Sequence, residues 1–244
     1  MSKKNRPVGR TERAAAAVRE LQQQERRRRN LMVGGVVVAL LVIVLGGYFL
    51  ARGLDTSDDV AAPDAGSGDY GLTIGPADAP HEVVIYEDFL CPYCGELEKA
   101  SRTDLAQLAA DGKVQVEYRP YNLLSSIGDY SARSAAVFAV VLDTSGPDAA
   151  KKLHDLLYEH QPSESGPFPS DDDLIKLAVE AGADEAAVRK GIEDGDGADW
   201  VTAATTAAQD AGVRGTPTVL LDGKVFQDGR TMDEMASKLI DKLQ

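Results

Sequence analysis

Between residues 83 and 118 the hydrophobic pattern changes period twice. Val83-Val84-Ile85-Tyr86 is an unbroken apolar run rich in β-branched side chains, which predicts a strand covered on both faces. Beyond it, Leu97, Ala100, Leu105, Leu108 and Ala109 recur at helical spacing until Asp111-Gly112 stops the pattern. Val114-Gln115-Val116-Glu117-Tyr118 then alternates, as a half-buried strand does. The three segments form a β-α-β unit. Gly71 to Gly75 predicts a short strand ahead of it, joined through the turn-like stretch Pro76 to Pro80.

From about residue 129 to 211 only helical patterns occur. Ala132 to Leu142 is nearly all apolar, and Pro147 to Tyr158 is amphipathic around Leu153, Leu156 and Leu157. Ser170 followed by Asp173 reads as a capping box opening a helix through Val179. Asp184 to Ile192 and Asp199 to Ala211 complete the helical interval. His154 and His160 fall inside it, where a surface or core-edge place is expected, and Trp200 reads as packing. Strand signals return at Thr218-Val219-Leu220-Leu221, and Asp222-Gly223 predicts a two-residue hairpin to Lys224-Val225-Phe226. Thr231 and Glu234 form a second capping-box pattern before a helix with Met232, Met235, Ala236, Leu239, Ile240 and Leu243 on one face. The order β-α-β, helical interval, β-β-α predicts an α/β sheet with helices on both faces, over residues 71–244.

The first 70 residues behave differently. Residues 31–50 carry no charge, and twenty helical residues rise ~30 Å, the thickness of a bilayer core, so they read as a transmembrane helix. A cleaved signal peptide has a shorter apolar core, ~7–15 residues, and a small-residue cleavage site that Ala51-Arg52-Gly53 does not supply. Residues 1–30 are a basic tail, with ten Lys or Arg against three Glu, and Arg26 to Arg29 abut the apolar run. The positive-inside bias therefore places the tail in the cytoplasm and the C-terminal domain outside, as a single-pass protein of the cell membrane. Residues 51–70, rich in Asp, Ala, Gly and Ser, read as a flexible linker.

Charge sharpens this division. The chain has a net charge of −13 despite its basic head, so the folded body is acidic and lacks the basic face that nucleic acid binding needs. The only two cysteines of 244 residues, Cys91 and Cys94, stand two residues apart between a strand and a helix. Two cysteines make no disulfide framework, and with only three histidines spaced apart they make no structural zinc site.

The pair's place predicts its chemistry. A sulfur at a helix start meets backbone N–H groups without helical partners and the positive end of the helix dipole, both of which favour thiolate. Pro92 is tolerated in the first turn. Cys94, nearly one turn on and more buried, reads as the resolving thiol and Cys91 as the nucleophile. Glu87, Asp88, Glu96 and Glu98 oppose the thiolate with negative charge. A structural disulfide and a copper-binding dithiol are the alternative uses of such a pair.

A second motif, Gly215-Thr216-Pro217-Thr218, puts a proline at a strand entrance, where its missing N–H is unusual. Together with Phe89-Leu90-Cys91-Pro92-Tyr93-Cys94 and the helical interval, it makes residues 70–244 resemble the DsbA-like branch of the thioredoxin superfamily, especially its membrane-anchored bacterial members. The resemblance implies a thioredoxin-like fold with a helical insertion and a cis Pro217 facing the Cys91–Cys94 bond. It implies that Thr216 pairs through its backbone with an extended substrate segment, while its side chain, with Pro92 and Tyr93, tunes Cys91. Relatives carry a buried acid six residues before the first cysteine; that position is Ile85 here, which leaves Glu87 and Asp88 to assist proton transfer. Tyr93 stands where some strong oxidases have His.

The expectation is an extracytoplasmic protein thiol-disulfide oxidoreductase that introduces disulfides into exported or cell-envelope proteins without a cofactor. A DsbB-like or vitamin K epoxide reductase-like membrane partner would reoxidise it. A reductase or isomerase, for example in cytochrome c maturation, or a copper-handling dithiol protein are the other readings.

Overall fold

A computed structural model describes residues 70–244; the basic tail, the apolar run at 31–50 and the linker up to residue 69 lie outside the described residues. Among the described residues no helix is long and apolar enough to cross a membrane.

A five-stranded sheet organises the domain. Strands β1 (Leu72–Ile74), β2 (His81–Glu87), β3 (Val114–Pro120), β4 (Thr218–Leu221) and β5 (Lys224–Val225) lie in the order β1-β3-β2-β4-β5. β2 and β3 are parallel, as the crossover helix α1 (Pro92–Ala110) requires, and the other three pairings are antiparallel. The helical interval is α2 (Tyr130–Ser145), α3 (Pro147–Glu159), α4 (Asp171–Glu180), α5 (Glu185–Asp194) and α6 (Asp196–Asp210); α7 (Met232–Leu243) closes the chain.

The apolar run in β2 serves two cores because successive side chains point to opposite faces. Val83 and Ile85 join the main core with both cysteines, Leu97, Leu105, Phe138, Leu153 and Leu239. Val84 and Tyr86 join a smaller cluster with Tyr121, Ala208, Val213 and Leu220. The parallel register sets Val83 beside Val116 and Ile85 beside Tyr118. α1 lies against α7 and β3, and α2 is the hub against which α3, α4, α5 and α6 pack.

Several expected boundaries move by a few residues. β2 and β3 each extend past the apolar runs that announce them, because the parallel ladder continues through Glu87 and Pro120. Helix α6 starts at Asp196 rather than Asp199: left-handed Gly195 closes α5 and opens α6 without an intervening loop. Gly197 then passes so close to α2 that a Cβ there would stand 2.4 Å from Ala136 O. The Ser170–Asp173 capping box forms in full. Only half of the second one does: Thr231 Oγ1 accepts from Glu234 N at 3.1 Å, whereas the Glu234 carboxylate accepts from Arg230 N at 3.0 Å. The Asp222-Gly223 hairpin has positive φ at both residues (50 and 75), the backbone a right-twisted two-residue turn demands.

Candidate functional site

The site lies where β2 hands over to α1, and Asp88 holds that junction in place. Its Oδ1 accepts from Leu90 N (2.8 Å) and Ser131 Oγ (2.6 Å), and its Oδ2 accepts from Leu123 N and Leu124 N (both 2.9 Å). Asp88 is fully buried, and four donors occupy the acceptor capacity of a carboxylate. The loop before the cysteines, the segment after β3 and the first turn of α2 are thereby tied to one side chain. Of the two acids proposed for proton transfer, Asp88 is thus committed to architecture.

Cys91 is the N-cap residue of α1, with extended backbone (φ −70, ψ 118) and Pro92 following in the first turn. Its carbonyl accepts from Cys94 N (3.1 Å) and Gly95 N (3.2 Å). Gln161, just past α3, donates its Nε2 to both Phe89 O and Cys91 O at 2.9 Å, bracing the loop from the helical insertion. A Cβ at residue 95 would stand 2.4 Å from Gln161 Oε1, on the side chain whose Nε2 holds the loop, so glycine leaves that brace room.

The cysteines are free thiols, both buried. Cys91 Sγ donates to Thr216 O at 3.3 Å, which brings the two motifs, 125 residues apart, into contact. The Thr216–Pro217 bond is cis, and both residues are half-buried beside the sulfur. Pro92 is exposed, and Tyr93 projects into solvent at 61% exposure. The Cys91 thiol is lowered to about 6: the Cys94 thiol's hydrogen bond is the largest cause, burial opposes it, and Thr216 with the N–H groups of Cys94 and Tyr93 adds to it. Burial pushes Cys94 well above the ordinary thiol range, reinforced by Cys91 and by the charge of Glu87. The two thiols are driven apart, so Cys91 is a thiolate near neutral pH and Cys94 a thiol.

Glu87 has a partner that the sequence reading missed. His154 is wholly buried, contrary to the expected surface or core-edge place; His160 is exposed. His154 Nε2 lies 2.7 Å from Glu87 Oε1, and its ring packs among Phe89, Tyr118, Phe138 and Tyr158. Its Nδ1 lies 3.2 Å from Asp155 Oδ1 and 3.6 Å from Glu98 Oε1. Burial disfavours charge on His154, but Glu87 and Glu98 override it and raise the imidazole to about 9. Burial pushes Glu98 up to about 7 against the pull of His154 and Lys151. Burial also works against charge on Asp155, yet hydrogen bonds from His154 and Lys151 hold it well below the usual carboxylate range. Glu87, Asp88 and Glu98 are thus tied to buried cations or hydrogen-bond donors, and Cys91 is lowered despite the acids around it, chiefly by the Cys94 thiol's hydrogen bond.

His154 was legible in principle. It follows Ala150 and Leu153 and precedes Leu157 on the buried stripe of α3, so helical spacing alone put it inside. No local signal marks Gln161, whose acceptors lie about seventy residues upstream.

Comparisons with known proteins bear on the fold that carries this site. The family model described as "Thioredoxin" matches residues 67–242. Over 151 residues the chain is 35% identical to the Na(+)/H(+) antiporter NhaA 3 of Salinispora tropica, covering 62% of this chain and 21% of that protein. Over 158 residues it is 27% identical to the serine/threonine-protein kinase PknE of Mycobacterium tuberculosis, covering 61% of this chain and 28% of the kinase. The chain therefore spans less than a third of the length of these curated relatives. Among solved structures, oxidized DsbA of Mycobacterium tuberculosis superposes with a TM-score of 0.60 at 28% identity, covering 71% of this chain and 90% of that one. The reduced disulfide bond oxidoreductase DsbG of the same organism gives 0.60 at 28%, covering 78% and 90%. Oxidised BdbD from Bacillus subtilis shares the fold, with a TM-score of 0.63 at 21% identity over 76% of this chain and 98% of that one.

Proposed function

The chain belongs to the thioredoxin family, and from that premise we propose that it is a DsbA-like protein thiol-disulfide oxidoreductase that introduces disulfides into exported proteins through Cys91 and Cys94. The observation that carries this reading is the asymmetry of the pair at the helix N-terminus: Cys91 is lowered to about 6, chiefly by the hydrogen bond from the Cys94 thiol, while buried Cys94 is held well above the ordinary thiol range. A stabilised thiolate favours the dithiol protein and so makes its disulfide the more oxidising.

In the oxidising cycle a substrate thiolate attacks Cys91 Sγ of the Cys91–Cys94 disulfide. The bond to Cys94 breaks, and a mixed disulfide joins substrate and Cys91. A second substrate thiolate attacks the substrate sulfur, forms the product disulfide and releases Cys91 as its thiolate. The half-buried backbone at Thr216 and Pro217 flanks the sulfur on the side where an extended substrate segment would lie. Tyr93, exposed beside it, offers an aromatic contact to that segment. A membrane oxidase of the DsbB or vitamin K epoxide reductase-like kind regenerates the disulfide, and residues 31–50 tether the domain outside the cytoplasmic membrane. The charge-free apolar run and the arginines before it support that placement.

The oxidised protein is expected to form disulfides in reduced, unfolded ribonuclease faster than it is made to reduce insulin; the opposite ranking would make it a reductase. Cys94→Ala is expected to accumulate mixed disulfides on Cys91, and a variant that traps none would overturn the assigned order of attack. A membrane-impermeant maleimide applied to intact cells is expected to label a reduced Cys91, and protection until lysis would refute the location.

A further inference from the structure

Away from the cysteines, metal-ligating side chains converge between α1 and α3. Glu98 on α1 and His154 and Asp155 on α3 each bring one donor atom to within 4.8 Å of the others. His154 Nδ1 lies 3.2 Å from Asp155 Oδ1 and 3.6 Å from Glu98 Oε1. Two donors bound to one tetrahedral zinc ion at ~2.1 Å stand ~3.4 Å apart. The imidazole is therefore already spaced from both carboxylates as a shared ion requires.

Two further observations point to a cation at this place. Glu98 Oε1 faces Nδ1 from a side chain only 4% exposed, and it has no hydrogen-bond partner. A buried carboxylate oxygen without a donor is costly, and a metal ion satisfies it. The other observation concerns the far side of the ring, where His154 Nε2 lies 2.7 Å from Glu87 Oε1. A carboxylate on one ring nitrogen orients the imidazole and makes the opposite nitrogen a stronger ligand, the usual setting of a metal-binding histidine. Phe89, Tyr118, Phe138 and Tyr158 pack around the ring and hold that orientation.

We propose that Glu98 Oε1, His154 Nδ1 and Asp155 Oδ1 bind one zinc ion, which joins the helical insertion to α1 one turn beyond Cys94. One imidazole and two carboxylates suit zinc, whereas calcium and magnesium take oxygen ligands. Asp155 opens the set to water, its side chain being 28% exposed. With Lys151, Arg102, Thr103 and Gln107 it lines a groove of about 710 Å³ between α1, α3 and the end of β1. The groove supplies an entry path and room for a water as fourth ligand. Lys151 pairs with Asp155 and lies 3.9 Å from Glu98, so its ammonium is the cation that zinc displaces. Its flexible stem lines the groove, and rotation about that stem carries the charge out to water. Binding sends the Nδ1 proton to solvent.

Zinc has other places to go on this chain, and each can be blocked. The two thiols are removed as ligands by their disulfide. The remaining histidines are His81, partly exposed beside Asp222, and exposed His160.

The test uses the full chain, oxidised so that neither sulfur ligates, stripped with a chelator and titrated with zinc against a chromophoric competitor. One equivalent is expected to bind at micromolar affinity or tighter. Cobalt(II) in its place is expected to show visible d–d bands without a thiolate charge-transfer band. Asp155→Asn and Glu98→Gln are each expected to weaken zinc about tenfold or more, as is Glu87→Gln through the ring it orients. Lys151→Met, which removes the competing ammonium, is expected to tighten zinc several-fold, and His81→Gln and His160→Gln to leave it unchanged. Zinc is expected to raise the thermal midpoint of the wild type but not of Asp155→Asn. Folding is checked by circular dichroism, and Asp155→Asn, at a partly exposed position, carries the test alone if the buried variants do not fold. No bound equivalent, an affinity that folded Asp155→Asn leaves unchanged, or a loss in His81→Gln or His160→Gln overturns the site. So does weaker binding in folded Lys151→Met. The oxidoreductase reading is independent of every one of these outcomes.

Discussion

The Cys91 thiolate gives the redox potential a pH dependence that can be calculated. Cys91 falls to about 6 in the folded dithiol protein, against ~8.5 for an unperturbed thiol. A folded-state pKa below the unfolded one stabilises the reduced protein at higher pH, and that stabilisation is lost as pH falls through 6. At pH 7 only the first unit of the depression counts, because an ordinary thiol is still protonated there. The gain is ~1.4 kcal/mol, or about 30 mV towards a more oxidising couple. Cys94, raised well above the ordinary range, keeps its proton throughout. Reduction therefore takes up two protons below pH 6 and one above it, so the potential should fall by ~59 mV per pH unit at low pH and ~30 mV per unit from there to pH 9. Equilibration with glutathione redox buffers at each pH, followed by acid quenching and alkylation, reads the slope directly. Thr216→Val keeps the carbonyl that Cys91 Sγ touches but removes the hydroxyl side chain that helps lower Cys91, and should move the break upward and cost up to ~30 mV at pH 7. A wild-type break at pH 8 or above, or a single slope across the range, would refute the claim that the Cys94 thiol, with Thr216 and the N–H groups of the helix start, lowers Cys91.

Asp88→Ala strands four donors around a buried site and should cost ~3–5 kcal/mol in urea unfolding; a loss below ~1 kcal/mol would show that Asp88 is not the anchor described. In the oxidised protein, where Cys91 does not titrate, the raised pKa of His154 contributes stability that is complete below its unfolded pKa of ~6.5 and fades as pH rises through 9. Denaturation midpoints should therefore fall across that window by up to ~3 kcal/mol, and His154→Gln should flatten the decline. Gly95→Ala forces a methyl against Gln161 and should destabilise by ~1–3 kcal/mol while shifting the Cys91 pKa. Adding Gln161→Ala should recover part of that stability loss, and strict additivity of the two changes would refute the contact.

How much was legible in the sequence follows from the range of each interaction. Cys91 at the head of α1, Pro92 after it and the Ser170–Asp173 box are set within a few residues, so spacing and residue type reveal them. The second capping box shows where that limit begins: Thr231 behaves as local chemistry demands, but Glu234 turns to Arg230 because the chain entering α7 presents a different N–H. Asp88 and Glu87 look alike in the sequence, adjacent acids ahead of the cysteines. They differ only because the segment after β3 and Ser131 deliver donors to one, while α3 delivers an imidazole to the other.

By itself the sequence determined the secondary elements, the strand buried on both faces, the nucleophile at a helix N-terminus and the acidic body, because periodicity and capping act over a turn or two of chain. Tertiary structure decided which groups surround the sulfurs. Thr216 reaches Cys91 from 125 residues away, and His154 reaches Glu87 from 67. A pKa in a buried site depends on the charges and donors within a few ångströms, and those neighbours exist only once β2, β4, α1 and α3 have packed together.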